Sequence, residues 1–138
     1  MSKGTITPHD VLELLVGGVT PAYISNGSIY IALHTGDPSA GDQTTNEITT
    51  GAYAGYTRFT LTKSGAWTGA GSTISNAAQI QFPACSGGTG ATVSYVSIGV
   101  AVSGASQILY CGSLTSPRAI SNGIQPQFAI GALQLTES

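Results

Sequence analysis

The chain has 138 residues, enough for one domain with a core of its own and too few for two. Four basic residues against six acidic ones give a formal charge of −2. That balance leaves no basic footprint for nucleic acid and no polybasic stretch for a membrane surface, so neither partner is expected.

Residues 1–20 read as an N-terminal arm with one short helix over 8–16. Thr7 is placed to cap it, Pro8 takes the first helical position, and Asp10 puts negative charge near the positive end of the dipole. Val11, Leu12, Leu14, Leu15 and Val16 make a wide apolar face, and Gly17-Gly18 ends the helix. A helix of about ten residues is marginal alone, so this one has to dock on the sheet or on a neighbouring subunit.

Ser25-Asn26-Gly27 is a tight turn into the strand around which the chain is organised. There Ile29, Ile31 and Leu33 alternate with Tyr30, Ala32 and His34, the pattern of a half-buried strand, and Thr35-Gly36-Asp37-Pro38 stops the ladder. Residues 39–55 form a long polar loop, of a length that is usually functional or mobile. Alternation resumes over 56–62, and further short strands are expected at 72–75, 78–82, 92–102, 107–114 and 118–120. A last one spans 124–136 with a break at Gly131. In 92–102 the residues Val96, Ile98, Val100 and Val102 share one face, while Tyr95, Ser97, Gly99 and Ala101 share the other. The smaller face lets another layer or subunit approach closely, and Gly99 marks a candidate bulge. About eight strands with regular turns and no helices between them exclude a parallel α/β sheet. They read as one all-β domain, an antiparallel sandwich or barrel with a short N-terminal helix.

Only 7% of residues are charged, against about 25% in ordinary domains. No Asp, Glu, Lys or Arg occurs from Ser64 through Pro117. That half is too rich in Val, Ile, Leu and Tyr for disorder, and Ser, Thr, Gly, Asn and Gln in place of charge suit a surface that packs against other protein. An assembling protein is therefore expected over a weakly charged monomer.

No catalytic constellation is legible. The six acids sit on the helix, in the one loop and at the C-terminus, and no G-x-S-x-G occurs. The Gly-rich run 86–90 lacks the lysine and helix of a phosphate cradle. Asp37, Asp42 and Glu47 share the loop with many oxygen ligands, but their spacing matches no calcium loop, and His9 and His34 are too few for a zinc site. No enzyme, metal or cofactor is expected. Cys85 and Cys111 read as buried, reduced thiols, since no signal peptide follows Met1 and no apolar run reaches about 18 residues. Trp67 reads as core rather than as a platform for a sugar ring. Tyr53, Tyr56 and Arg58 read as contact-surface residues, from the types enriched at interfaces.

The order of features then carries a resemblance. Tyr30-Ile-Ala-Leu-His-Thr-Gly-Asp-Pro38, an acidic linker with Asn46-Glu47, Gly55-Tyr56-Thr57-Arg58, the Trp67 hairpin, Ile74-Ser-Asn-Ala77, Ile80-Gln-Phe-Pro83 and Val96-Ser-Ile-Gly99 resemble small structural proteins of tailed bacteriophages. Leu109-Tyr110 and Ile120-Ser-Asn-Gly123 complete a likeness that spans nearly the whole chain. Members of that group range from capsid cement or decoration proteins to tail-fibre-like proteins. The resemblance to the cement members implies a jelly-roll-like antiparallel β-sandwich, assembled in the bacterial host cytoplasm. As a homodimer or homotrimer it would bind the exterior of the expanded capsid and bridge subunits of the major capsid protein. The helix and the loop with its following strand are the parts least required by a sandwich. They supply the candidate contact residues: Val11, Leu12 and Leu15 from the first, Asp37, Glu47, Tyr53, Tyr56 and Arg58 from the second. The alternative is a tail-fibre or head-fibre module that binds host-surface carbohydrate, for which Trp67 with Tyr53 and Tyr56 would have to form an exposed aromatic platform.

Overall fold

A computed structural model of the chain describes residues 1–137. Its strands are β1 (Ser2–Lys3), β2 (Ser28–His34), β3 (Phe59–Thr62), β4 (Trp67–Ala70), β5 (Thr73–Asn76), β6 (Ile80–Gln81), β7 (Ala91–Gly99), β8 (Ile108–Ile120), β9 (Gln127–Phe128) and β10 (Gln134–Thr136). They form a five-stranded sheet in the order β1-β8-β7-β2-β3, a three-stranded sheet β10-β5-β4 and a pair β6-β9, every pairing antiparallel. The fold is thus all-β with one short helix, as the alternation and the spacing of turn residues imply.

Ile29, Ile31 and Leu33 of β2 and Val96 and Ile98 of β7 turn one face of the large sheet inward. They pack in a single cluster with Ile80, Phe82, Leu133 and Leu135 from the smaller sheets and their flanks. The opposite face of β2 is not solvated, as a half-buried strand would be: Ala32 and His34 are buried too. What covers them is the segment read as a long polar loop. Residues 35–48 fold back as a layer, pairing with the end of β2 through Thr35 N–H to Asn46 O (2.8 Å) and Ile48 N–H to Leu33 O (2.9 Å). Gln43 and Ile48 of this segment, and Tyr53 just after it, are fully or almost fully buried. The small residues of β7 make the close approach possible, as their pattern implies, and the ladder shifts register at Ile98/Gly99.

Among the strand limits that differ from expectation, two bear on the large sheet. β7 ends at Gly99, and Val102 stands exposed in the following turn. β8 runs straight through Ser116-Pro117, where a break is expected, because the ladder skips there: Tyr95 pairs with Ser113 and Val93 with Arg118. Residues 114–117 are bulged out, so the N–H that Pro117 lacks is not needed for pairing.

The helix α1 (Thr7–Leu12) continues as a π turn over Glu13–Gly17 and is closed by Gly18 at φ 72. Thr7 is not its cap. Ile6 occupies that position, and the Thr7 hydroxyl donates instead to Ile108 O of β8 at 2.9 Å. A buried acceptor on the sheet edge competes better for the hydroxyl than the helix's own N–H groups, which reach water.

Cys85 and Cys111 are buried and unbridged, and burial raises the Cys111 thiol pKa above its ordinary value. Neither thiol is expected to react with an aromatic disulfide reagent while the chain is folded, and both should react after unfolding in denaturant. Prompt labelling of the native chain, followed by absorbance, would contradict this packing.

Candidate functional site

Four of the expected contact residues, Glu47, Tyr53, Tyr56 and Arg58, lie within twelve positions of one another, and the fold turns them inward. The Arg58 guanidinium forms a two-pronged pair with Glu47, Nε to Oε1 and Nη2 to Oε2, both at 2.8 Å. Nη1 donates to Ala101 O (3.0 Å) and Gln43 Oε1 (3.2 Å), and Nη2 also donates to Gly104 O (2.8 Å). All five N–H donors of the guanidinium are therefore used within the chain. The Tyr56 hydroxyl donates to Glu47 Oε1 (2.9 Å) and accepts from Leu33 N–H (3.1 Å). Tyr53 donates to Pro83 O and packs at a tilt against Tyr56, with ring centroids 5.4 Å apart.

Tyr53, Tyr56 and Arg58 are consequently not surface contacts: each is buried. Arg and Tyr are enriched at interfaces because they combine apolar area with directional donors, and the same property suits them to a buried polar network. Burial of the two tyrosines also removes the aromatic platform that the carbohydrate-binding alternative requires. Trp67 is half-buried at the edge of the core.

The network continues through three residues that sequence patterning does not single out. Gln43 Nε2 donates to Tyr30 O (3.0 Å) and to Ser97 Oγ (3.1 Å), while Gln43 Oε1 accepts from Ser106 Oγ (2.8 Å). Ser97 in turn donates to His34 Nε2 at 2.7 Å, and His34 Nδ1 donates to Thr45 O at 2.9 Å. The carbonyl partner requires the proton on Nδ1, and in the neutral ring, which burial favours, Nε2 is then the acceptor for the Ser97 hydroxyl. Among the described residues no buried side-chain nitrogen or oxygen is left without a partner. With every donor and acceptor committed internally, this assembly works as a latch that holds residues 35–58 and the turn after β7 on the large sheet.

Burial lowers the His34 pKa below its ordinary 6.5. Below about pH 6.5 the unfolded chain binds a proton that the folded chain resists, so stability is full above that value and drains away as pH falls toward the folded pKa. The urea midpoint is expected to fall between about pH 7 and 5, and His34→Gln to flatten that slope. A wild-type profile that is level across this window would contradict a neutral, buried His34.

Asp37 and Asp42 stand apart from the latch and from each other. Asp37 is exposed and accepts from Ser39 N–H at 2.8 Å, and Asp42 accepts from Thr44 N–H at 2.7 Å. Ser39's backbone N–H, and for Asp42 the Thr44 hydroxyl and then its N–H, hold these carboxyls below the usual range. Asp37, Asp42 and Glu47 thus serve separate partners and do not converge. No group of three or more His, Cys, Asp or Glu among the described residues could hold a metal ion.

The N-terminal arm is the opposite case. Polar pins fasten it: Thr7 to β8, and the Asp10 carboxylate, which accepts from Tyr23 Oη–H (2.9 Å) and Gln107 Nε2 (2.8 Å). Burial, and then the Asp10 hydrogen bond, push the Tyr23 phenol up to about 12. The apolar face has no cover. Leu12 is 63% exposed, Leu15 72% and Val16 82%, with Val11 half-buried behind them. Ile6, Leu14 and Val19 also expose large apolar side chains along this stretch. The charges between residues 6 and 24 are Asp10 and Glu13, the wrong sign for an anionic lipid surface.

A model of the family described as podophage GP4 fiber I protein gp80 matches residues 3–136. The chain belongs to that family. It is a phage virion structural protein, in agreement with the resemblance carried by the motifs from Tyr30 to Gly123. No curated protein matches the chain. The gp80 family match takes in the exposed arm as well as every member of the latch from His34 to Ser106. Among the described residues, no helix of this gp80 family member is long and apolar enough to cross a membrane.

Proposed function

We propose that this gp80-family chain is a non-enzymatic structural subunit of the phage fibre apparatus, fixed into the particle through its N-terminal arm. The uncovered apolar face of Leu12, Leu15 and Val16 on an otherwise internally satisfied β-fold carries this reading. Removing such side chains from water is worth roughly 1.5–3 kcal/mol each, so a protein partner that covers them binds with useful affinity. The family's name, which is that of a fibre protein, favours the fibre over other positions in the particle. Of the other expected contact residues, Val11 is half-buried and Asp37 is exposed.

A second reading is a capsid cement protein on the exterior of the expanded shell, with the major capsid protein as partner. The uncharged run from Ser64 through Pro117 favours it, because β4 to β7 and most of β8 then offer neutral faces suited to broad contact with a shell. On this reading many copies stabilise the expanded shell by mass action, and each adds its binding free energy.

Co-sedimentation separates the two. Purified chain is mixed with tail assemblies lacking it, with expanded capsids lacking it and with unexpanded procapsids. Saturable binding to tail assemblies alone is the expected outcome, and Leu15→Glu should abolish it. Binding to expanded capsids alone would replace the fibre reading with the cement reading. Binding to none of the three would overturn both.

A further inference from the structure

We propose that the cleft beside the β8 bulge binds an acidic oligosaccharide, with Arg118 holding its carboxylate. Arg118 is the one charged residue from Ser64 through Thr136. Its partner across the β7/β8 ladder is Val93, so both side chains stand on the core-facing side of the large sheet. Val93 is buried there, whereas Arg118 is exposed. Among the described residues no carboxylate pairs with the Arg118 guanidinium, and no hydrogen bond of the chain engages it. Arg58 spends all its donors within the chain; Arg118 keeps its own for something else.

Arg118 borders a cavity of about 230 Å³, with Leu33, Val93 and Ile120 buried in its floor. Exposed Thr115, Ser116 and Gln127 share its mouth. Gln127 Oε1 accepts from Gln79 Nε2 at 2.6 Å, which leaves the Gln127 NH2 group to donate. The mouth therefore offers donors and no carboxylate. A second cavity of about 560 Å³ adjoins the first, sharing Leu114, Thr115 and Phe128 with it. Small-molecule sites occupy roughly 300–1,000 Å³, and this chamber is of that size. Asp37, Tyr95, Ser113 and Gln134 line it. Because Asp37 lines only the larger chamber and Arg118 only the smaller, an acid group is steered to Arg118 and hydroxyl donors to Asp37.

A sugar ring suits both halves of this chemistry. Its C–H face packs on a half-buried ring such as Phe128, and its hydroxyls exchange hydrogen bonds with the hydroxyls and amides of the rim. A carboxylate on the sugar gives Arg118 a two-pronged partner, strengthened by the apolar floor. An acidic peptide fits less well. Extended peptides gain affinity by adding a strand to a sheet edge, but residues 114–117 are bulged out and Pro117 has no N–H to offer. Neither Trp67 nor Tyr53 nor Tyr56 lines either chamber, so the site is distinct from the aromatic platform considered above. The arm is distant too. Thr7 bonds Ile108, whose β7 partner Gly99 is six positions from Val93, which separates arm and cleft by about 20 Å along the strand. A chain fixed through its arm keeps this cleft open.

Isothermal titration of the purified full chain with trigalacturonate and with sialyllactose tests this, since the two present their carboxylates in different settings. At least one is expected to bind saturably with a dissociation constant of about 1 mM or lower. Its methyl ester, which keeps the rings and hydroxyls, should bind at least about tenfold more weakly. Arg118→Gln, at an exposed position, should keep the circular dichroism spectrum and lose binding to the same degree, and Arg118→Lys should not restore it. Leu15→Glu should bind the sugar as wild type does. Failure of both acidic sugars to bind at about 10 mM would overturn the proposal. So would an ester that binds as well as the acid, or an Arg118→Gln chain that binds as well as wild type. A glutamate tripeptide that binds as tightly as the better sugar would assign the cleft to an acidic peptide and overturn the saccharide.

Discussion

Replacing Arg58 by methionine is expected to lower the unfolding free energy by about 3–5 kcal/mol, the cost of removing one partner of a buried pair. The loss is not that of one salt bridge. Glu47, whose side chain is 16% exposed, keeps its charge and loses its two-pronged partner, and the carbonyls of Ala101 and Gly104 lose their donors. Gln43 Oε1 is left with Ser106 alone. Lysine should not rescue the site, since one ammonium cannot span a carboxylate and two carbonyls set around a planar fork. The double variant Arg58→Met/Glu47→Met should be less damaging than the sum of the two singles, because it leaves no unpaired charge. Urea unfolding at pH 7 measures all three. An Arg58→Met chain within about 1 kcal/mol of wild type would show that the latch does not hold the fold.

Gly99→Ala is the second large effect, expected to cost about 2–4 kcal/mol as overpacking adds to lost hydrogen bonds. A Cβ at this position would meet Gln43 Cδ and Oε1 at 2.1 Å. An amide at the end of a flexible side chain normally moves aside cheaply, but Gln43 is fully buried and bonded to Tyr30, Ser97, Arg58 and Ser106. Moving it opens the latch from the β7 side. In a Gln43→Ala background the same glycine replacement should cost much less, because the space has been vacated. Gly27→Ala, with open space around its Cβ, is the control and should stay near wild type. Equal effects for Gly99→Ala and Gly27→Ala in urea unfolding would refute the close approach of Gln43 to β7.

The exposed arm and the buried latch have different standing for assembly. Substitutions in the latch act through folding, so they reduce particle incorporation only in proportion to the unfolded fraction. Substitutions at Leu12, Leu15 or Val16 are expected to leave the fold intact and, on the proposed reading, to act on the contact itself. Comparing circular dichroism with sedimentation for each variant therefore tells a structural residue from an interface residue.

Much of this was legible along the chain. Alternation at Ile29, Ile31 and Leu33, breakers at Gly36-Asp37-Pro38 and Gly131, and the absence of helical periodicity after Gly18 determined an all-β antiparallel fold. Pro8 and the apolar run through Val16 determined a short helix with an apolar face, and the motif order from Leu33-His34-Thr35-Gly36 to Gly55-Tyr56-Thr57-Arg58 pointed to kinship with phage virion proteins. The fold class and the helix are properties of local spacing, which the backbone periods of strand and helix impose on any chain, whereas the kinship rests on a resemblance of motifs. Tertiary structure alone decided that residues 35–48 cover the outer face of β2, that Arg58 meets Glu47 beneath them, and that Ser97 joins His34 across 63 positions. Period-two patterning reports whether a strand face is apolar, not whether a polar face is covered. A buried polar network is built from the same Arg, Tyr, Gln and Ser residues that a solvated surface or an interface would use, and only their convergence in space tells these cases apart.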